Sequence, residues 1–300
     1  SEFETGMAEV MTLLPDAGEE MFGQLTDQVK DFSKEFGVMT NDAIPGLYSA
    51  LSAGVPPDNV FAFMETAQKA AAAGVTDLET AVDGISSVVN AYGSEVIGAT
   101  EASDLMFTAV KLGKTTFEEI SSSIFQMAPI AAAVGIPFKD LTASVANLTA
   151  QGTPTKVAAT QMKAAMAELA KEGTKADVAF RDLTGMGLQQ FLEEEGNFAS
   201  AMIAMKEGAD EAGISVLDMF GSIEAGQGVL ALTADGGELR QGPACHRHRP
   251  RLPRQVRPGR QRGVREGREV DQGQRQVADH AGGHRRWAHA GRQGVQRRRR

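Results

Sequence analysis

Gly74-Val75-Thr76-Asp77-Leu78-Glu79-Thr80-Ala81-Val82-Asp83-Gly84-Ile85-Ser86-Ser87-Val88-Val89-Asn90-Ala91-Tyr92 carries a complete helix signal, stop and start included. A glycine just past a helix takes the left-handed conformation without a Cβ clash, and the apolar residue after it packs back on the last turn. Thr76-Asp77-Leu78-Glu79 then reads as a capping box, hydroxyl and carboxylate serving the orphan amides of a new helix. Leu78, Ala81, Val82, Ile85, Val89 and Tyr92 follow at spacings of 3 and 4, one apolar stripe on a helix.

The same punctuation recurs on both sides, as Gly37-Val38-Met39-Thr40, Gly54-Val55-Pro56, Gly113-Lys114-Thr115-Thr116, Gly135-Ile136-Pro137 and Gly213-Ile214-Ser215. A second capping box stands at Thr116-Phe117-Glu118-Glu119, and Leu141, Val145 and Leu148 repeat the helical spacing. No run alternates apolar and polar as a half-buried strand would, and Ala, Met, Leu and Glu are plentiful. The expected fold is all-α: an array of amphipathic helices of about 10–18 residues joined by short Gly-containing turns. The marks recur irregularly, so no fixed-period solenoid is implied. Met127–Phe138, the longest apolar stretch, is too short to span a bilayer and contains Pro129, Gly135 and Pro137, so it reads as core.

Charge divides the chain. Residues 1–239 hold 12 basic and 35 acidic side chains, net −23, whereas residues 240–300 hold 18 Arg and 4 acids, net +14. Every His, Cys245 and Trp287 lie in the second part, so the first contains no thiol or imidazole. That removes disulfides, Cys/His zinc sites, Cys nucleophiles and Ser-His-Asp triads from its chemistry. Three regions are expected: an N-terminal helical segment (1–35), a helical core (36–239) and an Arg-rich disordered tail (240–300). The chain opens on Ser1-Glu2-Phe3-Glu4 with no visible signal peptide, which suggests a start inside a longer reading frame.

Candidate chemistry is thin. Glu118-Glu119 and Glu193-Glu194-Glu195 are expected to be capping or solvated carboxylates rather than acid/base or metal groups. Gly152-Thr153-Pro154-Thr155-Lys156 lacks the full phosphate-loop pattern and follows a helix, so it reads as a helix start. Tyr48 and Tyr92 are expected in the core. Met106, Met127, Met162, Met166, Met202, Met205 and Met219 could form an adaptable face, with core filling the default reading. Cys245, His246 and His248 imitate a metal cluster but fall in the anomalous tail. No catalytic, cofactor-binding or metal-binding residue is assigned, and no cofactor or small-molecule substrate is expected.

The run Gly54–Phe61 through Ala72–Ile85 resembles the core region of bacteriophage tail tape-measure proteins. So do Phe117–Ile120 leading into Ala128–Ile136, and the ordered blocks Asp140–Ala143, Leu148–Gly152 and Ala158–Met166, over roughly residues 5–236. The resemblance implies a non-enzymatic virion component, threaded along the tail lumen, that sets tail length and leaves at DNA ejection. It implies tail-tube and tail-assembly proteins as partners, with self-association as a further expectation. It also implies residence in the virion tail, and in the host cytoplasm during assembly.

Residues 240–300 contain no Ser, Thr, Lys, Asn, Ile, Met, Phe or Tyr, and 59 of the 61 residues can be encoded with C or G as first base. In GC-rich coding sequence the biased base is the third, so this pattern suggests translation out of frame. The alternative is a nucleic-acid-binding protein acting through a genuine basic tail, although zero Lys among 18 basic residues argues against selection for charge. With five Val and one Leu, the tail has too little apolar surface to add to a core. A chain ending at residue 239 should therefore keep the helicity and cooperative melt of the full chain, checked by circular dichroism. Any weak, steeply salt-dependent DNA binding should disappear with the tail, and a lost melting transition would refute the boundary.

Overall fold

The computed structural model describes residues 2–195 and 197–234. The expected tail, its boundary near 239 and the Cys245, His246 and His248 grouping lie outside the described residues. Among those described there are fourteen α-helices and no strand. The first eight are α1 (Glu2–Thr12), α2 (Glu19–Phe36), α3 (Thr40–Ser52), α4 (Val60–Gly74), α5 (Leu78–Tyr92), α6 (Ala99–Leu112), α7 (Phe117–Ile124) and α8 (Ala128–Ala133). The other six are α9 (Phe138–Ala150), α10 (Thr155–Ala170), α11 (Lys175–Thr184), α12 (Leu188–Glu195), α13 (Phe198–Ala212) and α14 (Ile223–Thr233). Short 3-10 turns at Pro57–Asn59 and Val216–Met219 lead into α4 and α14.

Isolated helices of this length are marginal in water, so their stability comes from mutual burial. The N-terminal half gathers around α5, which packs on α3, α4, α6, α7 and α8, while α1 and α2 lie against α3. In the C-terminal half α10 packs on α9, α11 and α14, and α13 covers α14. The halves join where α9 meets α6 and α10 meets α7 and α8. One apolar core runs through all of this, from Met7 and Val10 to Val229 and Leu232. The seven methionines are all buried there, so they fill core. Met127, Ala128, Ala131, Ile136 and Phe138 are buried too, as the apolar stretch required.

The punctuation holds, with two exceptions. Gly37, Gly54, Gly135 and Gly213 have positive φ at the turns they mark. Gly74 instead ends α4 in helical geometry, because a Cβ there would stand 2.6 Å from Cβ of Phe117. The left-handed turn passes to Val75, at φ 54°, 88% exposed. Gly113 is extended, and a Cβ on it would meet Thr149 and the α9 backbone at Ala146. At these two marks the glycine lets helices approach rather than letting the chain turn.

Four further expectations are corrected. Asp77, not Thr76, caps α5: its carboxylate accepts the Thr80 amide at 2.7 Å and the Thr80 hydroxyl at 2.9 Å. Thr76 is occupied in closing α4, its amide donating to the Ala71 carbonyl, and its buried hydroxyl has no partner. Tyr48 is 39% exposed rather than core, because α3 turns Ala43, Gly46, Leu47 and Ala50 inward, with Gly46 against Leu78. And α9 is not amphipathic, since ten of its thirteen residues are buried. Helices α7, α8 and α12, at 8, 6 and 8 residues, are also shorter than expected.

Two substitutions test these contacts. V75G should raise stability by up to about 1 kcal/mol, because relief of left-handed strain in a β-branched residue, about 1–2 kcal/mol, outweighs glycine's entropy cost. G84A should lower it by roughly 1–3 kcal/mol, since a Cβ at Gly84 would lie 2.8 Å from the Ser121 backbone of α7, which cannot swing away. Urea titrations of both variants read the two changes.

Candidate interaction surface

Of the carboxylates singled out in the sequence, Glu119 is engaged in holding helices. Glu119 forms the full capping box with Thr116, accepting its amide at 3.2 Å while the Thr116 hydroxyl accepts the Glu119 amide at 3.1 Å. The same carboxylate accepts the hydroxyls of Thr115 and Thr155 at 3.2 and 3.0 Å, tying the start of α7 to the start of α10. Thr155 is buried there, so Gly152–Lys156 is a helix start whose hydroxyl is already committed. Glu118, Glu193 and Glu194 are exposed.

Three acidic residues that the sequence reading passed over matter more. Glu168, near the end of α10, accepts the amides of Gly221 and Ser222 at 2.6 and 2.9 Å and the Ser222 hydroxyl, capping α14 from another helix. Asp177 is buried and accepts the Gly173 amide at 2.9 Å and Nε of Arg181 at 2.7 Å. Asp140 is buried on α9, and burial pushes its carboxyl up from the ordinary range against the opposing pull of Lys139 and the Phe198 amide. Burial likewise raises the phenol of Tyr92, with the Asp140 charge adding to it. Tyr92 is half-buried: its hydroxyl donates to the Ile136 carbonyl at 3.0 Å and its ring meets Phe138 edge-on.

Two surface features remain open to a partner. One is a cleft of about 510 Å³ at the junction of α10, α11 and α12, with Arg181, Glu172, Gln190 and Glu193 on its walls. Arg181 is the only arginine before residue 240. The other is a serine-rich groove between α3, α5 and α7, with half-exposed Tyr48 and Phe125 at its edges. Asp83 lies in it, its carboxyl raised by burial and partly restored by the Ser49 hydroxyl. Their walls carry hydroxyls, amides and a paired guanidinium. Among the described residues no group of three or more His, Cys, Asp or Glu is placed to hold a metal ion, and no helix is long and apolar enough to cross a membrane.

The phage-related minor tail protein family matches residues 26–230, from the middle of α2 to near the end of α14. The chain belongs to that family. This tail protein is also 33% identical, over 248 residues, to a probable tape measure protein of Clostridium phage phiCD119. The match covers 79% of the chain and 26% of the relative, so the chain spans about a quarter of that protein's length. No solved structure matches.

The geometry gives two expectations for this tail protein. E168A should cost about 1–2 kcal/mol by orphaning the amides that open α14, seen as a lower melting temperature. Asp140 has a folded pKa above its unfolded value, so its contribution to stability is full below the unfolded pKa and lost as pH rises through the folded one. D140N should therefore gain on the parent as pH rises from 4 to 7, measured by paired melts. A constant difference across that range would show that Asp140 does not titrate in the fold.

Proposed function

We propose that this body is a structural module of a phage tail, acting within a tape-measure chain during tail assembly, in tail-length determination and in passage of DNA. The observation that carries the reading is the family match over nearly the whole helical body. The relative's description as a tape measure protein supports the finer role. Tail-tube and tail-assembly proteins would be the partners, met through the serine-rich groove and the Arg181 cleft, and the virion tail would be the place of action.

Charge supports the part played in DNA passage. Residues 1–239 carry a net −23, which repels a polyanion instead of retaining it. A component sharing a narrow tube with DNA has to avoid binding it tightly. Tight helical packing with its buried carboxylates spent on caps leaves a surface suited to transient protein contact.

The test is an in-frame deletion of the codons for residues 26–230 from the complete gene in its phage, with tail lengths read by electron microscopy. Tails should be absent, or shortened by up to about 1.5 Å per residue removed, the rise of a helix. Infectious particles with tails of unchanged length would overturn the proposal.

A further inference from the structure

We infer that residues 240–300 are the out-of-register reading of a coding sequence whose proper product continues the helical body into a cationic amphipathic helix. Three boundaries coincide. The family match ends at residue 230, the last described helix ends at Thr233, and the restriction to residues with C-first or G-first codons sets in by Arg240. The relative is about four times as long as the part it shares with this chain, so most of that protein lies outside the shared part. None of this depends on the role proposed above.

The genetic code makes the inference specific. Take the register one base downstream, in which each codon joins the last two bases of one codon to the first base of the next. Glu and Gln codons end in A and a purine, so either residue followed by Gly or Val becomes A-purine-G, which is Lys or Arg whichever purine stands there. This happens at Gln241, Gln255, Glu266, Glu269, Gln272, Gln276 and Gln293. Lysine, absent from the tail as translated, thus returns at positions the sequence itself dictates.

Four of these codons, at Glu266, Glu269, Gln272 and Gln276, are spaced 3, 3 and 4, which places them on one face of a helix. The opposite face falls on the codons at Val264, Gly267, Asp271 and Ala278, spaced 3, 4 and 7. With Arg in C-first codons, these encode Phe/Tyr/Ser/Cys, Val/Ala/Asp/Gly, Ile/Thr and Leu/Pro/Gln/Arg, so each can carry an apolar side chain. The four basic codons thus share one side of such a helix.

Stop codons supply an independent check. A stop in the shifted register must begin with T, hence at a codon whose second base is T, which here means Val or Leu. With C-first Arg codons, four of these six sites, Leu252, Val256, Val264 and Val295, are followed by C and cannot form a stop, which leaves only Val270-Asp271 and Val277-Ala278, followed by G, able to do so. The shifted register is open across the rest of the segment by construction of the sequence.

The experiment is to sequence the coding DNA from codon 220 past codon 300. Third positions should be rich in C and G up to about codon 234, the bias should move to first positions after codon 240, and the shifted register should remain open beyond codon 300. A stop at Val270 or Val277 in that register, or a third-position bias persisting through the tail, would overturn the inference. A second arm expresses residues 1–239 with and without the re-registered continuation. The longer chain should gain helical ellipticity in proportion to the added residues, and no gain would overturn the helical assignment.

Discussion

The burial of α9 over most of its circumference is the constraint on which the rest depends. A helix packed by α6, α8, α10, α13 and α14 keeps only a narrow open edge at Lys139, Ala143 and Ala150, yet it carries Asp140, Thr142, Ser144, Asn147 and Thr149 inside. Most of these answer their own hydrogen-bonding needs. The hydroxyls of Thr142, Ser144 and Thr149 donate to the carbonyls of Phe138, Asp140 and Val145, one turn back. Such back-bonding satisfies a buried hydroxyl without a partner on another helix, and leaves a narrow side chain outward. Narrow side chains in turn let α6 come close enough for Gly113 to touch Thr149.

Close approach of this kind is repeated elsewhere. Gly74 on Phe117, Gly84 on Ser121 and Gly46 on Leu78 bring the helices of the N-terminal half within reach of one another through small residues. The polar counterpart is a carboxylate that takes up orphan amides at a helix start, from another helix as Glu168 does for α14 or from the same one as Asp177 does for the turn before α11. Helices of 6 to 18 residues joined by short turns have many ends for their length, and every end exposes unsatisfied backbone groups. Much of the acidity is thereby put to use where helices begin.

The sequence displayed its local grammar well and its three-dimensional grammar poorly. Stops at Gly37 and Gly213, the capping box at Thr116 and the stripe from Leu78 to Tyr92 all depend on neighbours within a turn, and all are present in the fold. Gly74 and Gly113 looked the same in sequence but are fixed by Phe117 and Thr149, partners 43 and 36 positions away. The interior position of α9 was illegible for a related reason: its serines and threonines look like a wet face until their back-bonding is seen. Tyr48 misled because an aromatic on an apolar run usually points inward, whereas α3 gives its inner side to Ala43, Ile44, Gly46, Leu47, Ala50 and Leu51. Glu168 gave no signal at all, because the amides that donate to it lie 53 and 54 residues further on.

The clamp at Glu168 gives the body a direction of mechanical weakness. Helix α14 lies along α10, held by apolar contact over its length, by the Glu168 carboxylate at its first turn and by the Gln151 amide on the Ala231 carbonyl in its last. Tension applied from the C-terminal side loads the far end of α14 first and opens those contacts one turn at a time, so they yield in sequence at low force. The same tension applied to α9 would have to shear it out of five neighbours at once. A chain pulled through a narrow conduit from its C-terminal end would therefore unravel in steps, with the Glu168 contacts the last of α14 to give way.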